Sequence, residues 1–234
     1  MLDSHLHNAW NEISYRISII TLDSHNAMPC ERALSNLVGD FKGLDVSIFA
    51  AAEWGENPSA LEEAKAAIEK SDIIIVNLLF LEDHIKPILP ILKSRRDDCD
   101  AMIGVVCDAE LVKLTRMGAL DMQAPDRGAL ALLKKLRGSS KPSSETGEKK
   151  MRMLRRLPKI LKYIPGKAQD LRAWFLVMQY WLGGTDENIE AMLRFLISRY
   201  SHVDSWQGVS AEPPREYPNV GVYHPSLKGR ISED

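Results

Sequence analysis

Several things are scarce or missing in this chain of 234 residues, and each absence closes a class of function. There are three cysteines, Cys30, Cys99 and Cys107, an odd number with no CxxC spacing. That excludes a disulfide framework and leaves free thiols in a reducing compartment as the expectation. The longest apolar run, Ile73 to Leu81, is interrupted by Asn77 and falls well short of the roughly 20 residues a bilayer requires. The N-terminus, MLDSHLHNAWNEISYR, has neither the basic start and apolar stretch of a signal peptide nor the acid-poor composition of a transit peptide. A cytoplasmic protein that is not transmembrane is therefore expected. GxxxxGK[ST] does not occur, nor does GxGxxG after a strand, so no ATP is expected on a familiar phosphate loop. HExxH, zinc-ligand spacings and a GxSxG elbow are absent as well. His5 and His7 form an HxH pair near the terminus, and His25, His84, His202 and His224 are scattered. No metal site is expected from them.

What is present is the composition of an ordinary globular protein, 45% hydrophobic and 26% charged. The net charge of −2 is unevenly spread. Residues 1–133 carry 12 basic and 21 acidic side chains, residues 134–172 carry 13 and 3, and residues 173–234 carry 5 and 8. The basic excess of the middle block is diluted along an amphipathic pattern. It reads as a solvated linker and helix face rather than a nucleic-acid surface.

The first 137 residues alternate strand and helix signals. Strands are expected at Tyr15–Leu22, Asp45–Ala51, Asp72–Leu81 and Ala101–Cys107. Helices are expected at Ala27–Leu37, Pro58–Lys70 (behind Asn57), His84–Lys93, Ala109–Met117 and Ala129–Arg137. Pro90 should bend or shorten the third of these helices. The run DIIIVNLLFL suits a central strand covered on both faces. Repeated βα units with short connections predict an α/β fold: a doubly wound, mostly parallel sheet of flavodoxin or Rossmann type, with room for a further strand. The α/β domain spans 1–138, and the stretch GSSKPSSETGEKK marks a linker over 139–150. A helical segment follows over 151–202, with helices at Met151–Tyr163, Gln169–Leu182 and Asp186–Tyr200. Gly183 and Gly184 stop the second, and Thr185 caps the third. Residues 203–234 are Pro-rich and extended, as at the start of a domain that this chain does not complete.

Ligands of open α/β sheets bind outside the carboxyl ends of the strands. Polar groups at those ends make Asp23, Ser24, His25, Glu53, Asn77, His84 and Asp108 the candidate binding residues. Helix capping and loop polarity explain the same residues equally well. Trp174, Phe175, Tyr180 and Trp181 suggest stacking on a flat ligand, but they occupy more than one helix face, as in a helix buried almost all round. Such a helix needs a large surface to pack against, expected here to lie in domains the chain does not contain.

TLDSH at 21–25, AAAEWGENPSALEEA at 50–64, DIIIVNLLFLEDHI at 72–85, KLTRMGALDM at 113–122, LALLKKLRG at 130–138, YIPGKAQDLRAWFLVMQYWLGG at 163–184 and YPNVGVYHPSL at 217–227 carry a family resemblance. The chain resembles the N-terminal region of the large, porphyrin-binding subunits of magnesium chelatases, closest to the photosynthetic-bacterial form, and more distantly those of cobaltochelatases. The resemblance implies insertion of Mg²⁺ into protoporphyrin IX for chlorophyll or bacteriochlorophyll synthesis. ATP would be hydrolysed on AAA+ ATPase and adaptor partner subunits. It also implies that the remainder of the large subunit is a partner, and that catalytic residues lie outside this chain. No cofactor is expected on this region by itself. Three roles stay open: part of the porphyrin site, a structural or partner-docking head, or an unrelated small-ligand module.

Overall fold

The computed structural model describes residues 14–22, 27–124, 157–215, 222–223, 226 and 231–232. Four parallel strands form where strands are expected, β1 (Tyr15–Thr21), β2 (Leu44–Ala50), β3 (Ile73–Asn77) and β4 (Ala101–Val105), but the one expected at Asp72–Leu81 stops at Asn77, because Leu78 turns to positive φ and the chain leaves the sheet. Two short antiparallel strands, β5 (Arg116–Met117) and β6 (Leu120–Asp121), continue the sheet. The order is β2-β1-β3-β4-β5-β6. Its parallel part has the flavodoxin-like arrangement, and the hairpin supplies the further strand. A separate antiparallel pair joins β7 (Val222–Tyr223) to β8 (Ile231–Ser232).

Successive strand residues point to opposite faces, and both faces of this sheet are apolar. On one face Ile20, Ile74, Val76 and Met102 pack on α2 (Pro58–Lys70), α4 (Leu89–Arg95) and α5 (Ala109–Lys113). On the other, Ile17, Ile19, Ile73, Ile75 and Ile103 meet α1 (Ala27–Leu37), α6 (Lys167–Gly183) and α7 (Asp186–Tyr200). Helices on both faces make the sheet doubly wound, and all five residues of β3 are buried. Gly104 lets α5 approach, since a Cβ there would lie 2.5 Å from the Leu111 carbonyl oxygen.

Two helix expectations are corrected. The helix expected at Ala109–Met117 stops at Lys113, because Arg116 and Met117 pair with Met102 and Ala101 at the sheet edge. The helix expected at His84–Lys93 is two pieces, α3 (Glu82–Ile85) and α4, since Pro87 and Pro90 each lack an N–H and Pro90 begins a new first turn. The helix expected at Ala129–Arg137 and the linker at 139–150 lie outside the described residues.

The expectation that α6 packs against absent domains is also overturned. Phe175, Val177, Tyr180 and Trp181 are buried within this chain, and only Leu182 among the large apolar residues of the helix is exposed. The surface it needed is the face of the sheet that α1 alone cannot cover. The Trp174 Nε1–H donates to the Gly104 carbonyl at 2.9 Å, and the Tyr180 hydroxyl to that of Glu212 at 2.5 Å. Gly184, at φ 58°, ends α6 in the left-handed conformation that glycine adopts without strain. The Thr185 hydroxyl then accepts the Asn188 N–H to open α7.

Candidate functional site

The strand order reverses between β1 and β3, so the crevice of this fold lies outside the carboxyl ends of those two strands. β1 ends at Thr21. Asp23, Ser24 and His25, which follow it, lie outside the described residues. β2 runs into a 3₁₀ turn, Ala51–Glu53, on which Glu53 is exposed. β3 ends in Asn77, and β4 leads through Val106 and Cys107 to Asp108.

Asn77 is fully buried, and neither its Oδ1 nor its Nδ2 has a hydrogen-bond partner. Each such orphan costs about 1–3 kcal/mol. The backbone beside it is strained: Leu78 has φ 55° and Val106 φ 49°. A β-branched residue rarely takes that conformation, and it persists only where surrounding contacts enforce it. Here the contacts are backbone hydrogen bonds between the two loops: Leu78 N–H to Val106 O at 2.9 Å, and Asp108 N–H to Leu79 O at 2.8 Å.

His84, on α3, reaches the same end of the sheet. Its ring stands edge-on to Trp54, with centroids 6.4 Å apart. The Nδ1 of His84 and the Nε1 of Trp54 are both buried without partners. Asp108 is used differently: its Oδ1 accepts the Glu110 N–H at 2.8 Å and caps α5. Burial pushes the Cys107 thiol up to about 12, so it is a poor source of thiolate at neutral pH.

The structure thus brings His84 to Trp54, the residue next to Glu53, and gives Asp108 a capping role. Four features were illegible in the sequence: the orphaned amide of Asn77, the unpaired Trp54 indole, and the strain at Leu78 and Val106. A Gly, Asn or Asp at 78 or 106 would have signalled positive φ, and these positions hold Leu and Val. Among the described residues, no group of three or more His, Cys, Asp or Glu is placed to hold a metal ion, and no helix is long and apolar enough to cross a membrane.

Residues 16–175 match the family model described as a domain of unknown function, DUF3479. The chain is 57% identical over 220 residues to the magnesium-chelatase H subunit of Cereibacter sphaeroides, and 54% identical over 220 residues to that of Rhodobacter capsulatus. Each alignment covers 94% of this chain and 18% of the relative. The chloroplastic magnesium-chelatase ChlH subunit of Oryza sativa subsp. indica is 26% identical over 161 residues, covering 68% of this chain and 12% of that one. The chain spans under a fifth of the length of these relatives. It belongs to the DUF3479 family.

Proposed function

We propose that this chain is the N-terminal α/β region of a magnesium-chelatase large subunit, cytoplasmic and serving (bacterio)chlorophyll synthesis. The observation that carries this reading is the 57% identity across 94% of the chain to a protein of that name. In this reading the assembled enzyme inserts Mg²⁺, a substrate, into protoporphyrin IX, and AAA+ partner subunits hydrolyse the ATP. This region is a head that positions the remainder of the large subunit and docks partner chains. Its polar strand-end residues support that role where they serve the fold, as Asp108 does in capping α5. The aromatic set of α6 supports it too, since Phe175, Tyr180 and Trp181 are spent on the core.

The test compares the full-length large subunit with one lacking this region, each with its partner subunits. Porphyrin fluorescence quenching and Mg-porphyrin formation are read separately. Quenching should stay within about twofold while turnover falls about tenfold or more. Loss of quenching on deletion would sink the head reading. Failure of the intact assembly to metallate any porphyrin would sink the chelatase assignment.

One observation favours a second reading, in which the crevice itself takes part of a ligand: the orphaned amide of Asn77 beside two strained loops. Asp23, Ser24, His25, Glu53 and His84 would then surround that ligand. Micromolar porphyrin quenching by this chain, lost in Asn77→Leu, would establish it. An unchanged titration would dismiss it.

A further inference from the structure

β2 ends the sheet on one side, and among the described residues no strand pairs with its outer edge. Natural proteins blunt such edges with Lys, Pro, a bulge or a cover. β2 reads LDVSIFA, seven residues with no Pro, no Lys and a single charge at Asp45, and its register with β1 runs unbroken from Leu44 to Ala50. Val46, Ser47, Ile48 and Phe49 are all half-buried.

A cavity of about 310 Å³ straddles the carboxyl half of this edge. Ile48, which packs with the α1 side of the sheet, and Phe49, which packs with the α2 side, both line it. Its walls are Glu31 of α1, Glu53 of the 3₁₀ turn and Glu63 of α2, with Trp54. The edge of β2 is thus the floor of a groove between two helices. No basic residue lines it. None of the three carboxylates makes a hydrogen bond or ion pair with a described residue. Arg32, beside Glu31, is committed to Asp186 at 2.5 and 2.8 Å. Trp54 is 7% exposed, and its Nε1–H is a buried donor with no acceptor.

We infer that this groove binds an extended, Lys- or Arg-bearing segment of another polypeptide, which adds to β2 as a seventh strand. The open edge and the three carboxylates then have partners. The bare edge receives backbone hydrogen bonds, and apolar side chains of the added strand meet Ile48 and Phe49 on the two faces. Its cations meet Glu31, Glu53 and Glu63. Charge selects the occupant. A second copy of this chain would bring its own Asp45, Glu31, Glu53 and Glu63 to the same edge, and like charges across an interface are unfavourable. The inference does not depend on the chelatase reading.

The probe is a fluorescent peptide of about ten residues alternating Val-Val and Lys-Lys pairs, so that each face of the added strand carries both side chains, and long enough to cover one strand. It is titrated into the chain once cooperative unfolding has confirmed that the chain is folded. Binding should protect the amides of residues 44–50 from hydrogen exchange. The triple variant Glu31→Gln, Glu53→Gln, Glu63→Gln should bind about tenfold more weakly while unfolding at the same urea concentration. A peptide alternating Pro with Nα-methyl-Lys, which cannot donate to a ladder in either register, should not bind. No binding, equal binding of the Pro peptide, unchanged affinity of the triple variant, or absence of protection at 44–50 would each overturn the proposal. Self-association that the peptide displaces would assign the edge to a second copy and overturn the basic partner.

Discussion

At the amino ends of the strands, the polar groups of Tyr15, Asp72, Asp100, Arg116 and His202 are bonded into one another or into the backbone. At the carboxyl ends, Asn77, Trp54 and His84 bury polar atoms that have no partner. The Tyr15 hydroxyl donates to Asp100 at 2.7 Å, and the backbone N–H and Nδ1 of His202 reach the same oxygen at 2.9 Å each. Arg116 donates to the carbonyls of Arg96, Asp97 and Cys99. Asp170 accepts from Ala119 N–H, Arg199 and Tyr200, tying α6 and α7 to the β5–β6 turn. Two buried atoms at this end, Arg95 Nε and Ser201 Oγ, also lack partners, against four at the carboxyl end: both polar atoms of the Asn77 amide, Trp54 Nε1 and His84 Nδ1. Among the described residues, unpartnered buried polar atoms are therefore more numerous at the carboxyl end of the sheet. Sites of function concentrate where such a local cost is tolerated.

The largest expected effect tests the amino end. Asp100→Ala orphans the buried Tyr15 hydroxyl and frees His202, and should lower unfolding free energy by about 2–4 kcal/mol in urea titration. A loss below about 1 kcal/mol would break the contrast by showing that this network is ornamental. At the other end, Asn77→Leu should leave the chain as stable or raise stability by about 1–2 kcal/mol, because it removes two orphaned atoms. Clear destabilisation would mean that Asn77 serves the fold. Asp108→Ala should cost about 1 kcal/mol, the usual value of an N-cap. That result would show that position at the carboxyl end is not itself what makes a group dispensable.

The smallest effect concerns Asp72, at the amino end. Burial raises its pKa above the usual carboxylate value, although the Arg16 N–H, donating at 2.7 Å, opposes the shift. A raised folded-state pKa contributes stability below the unfolded value, and that contribution is lost as pH rises through the folded value. Asp72→Asn keeps an acceptor for Arg16 and should remove this slope. Its stability relative to the parent should therefore be lower in acid than at neutral pH. Parallel pH profiles of the two proteins in urea titrations would contradict the assignment.

Much of the fold was legible because its signals are local. The runs at 15–21, 44–50, 73–77 and 101–105 are β-branched and bounded by polar breaks, and the βα alternation then restricts the order to few choices. The β5–β6 hairpin was not legible. Two-residue strands have no periodicity to read, and Ala109–Met117 looked like one helix until the edge of β4 claimed its last residues. Of the candidate site residues, Asn77, His84 and Asp108 were selected because they stand at strand ends. That criterion does not separate a cap such as Asp108 from an orphan such as Asn77, since the difference lies in what surrounds each side chain.

The sequence alone determined the parallel α/β framework, the glycine stop of α6, the Thr185 cap of α7, and the family, because each is written in residues close together along the chain. Tertiary structure alone decided where the Trp174–Leu182 helix finds its apolar partner and which polar groups are satisfied. It also decided that Glu31, Glu53 and Glu63 meet around the open edge of β2. Those are contacts between residues far apart in the chain, and side-chain pairing across such distances exists only once the sheet has set its two faces and its two ends.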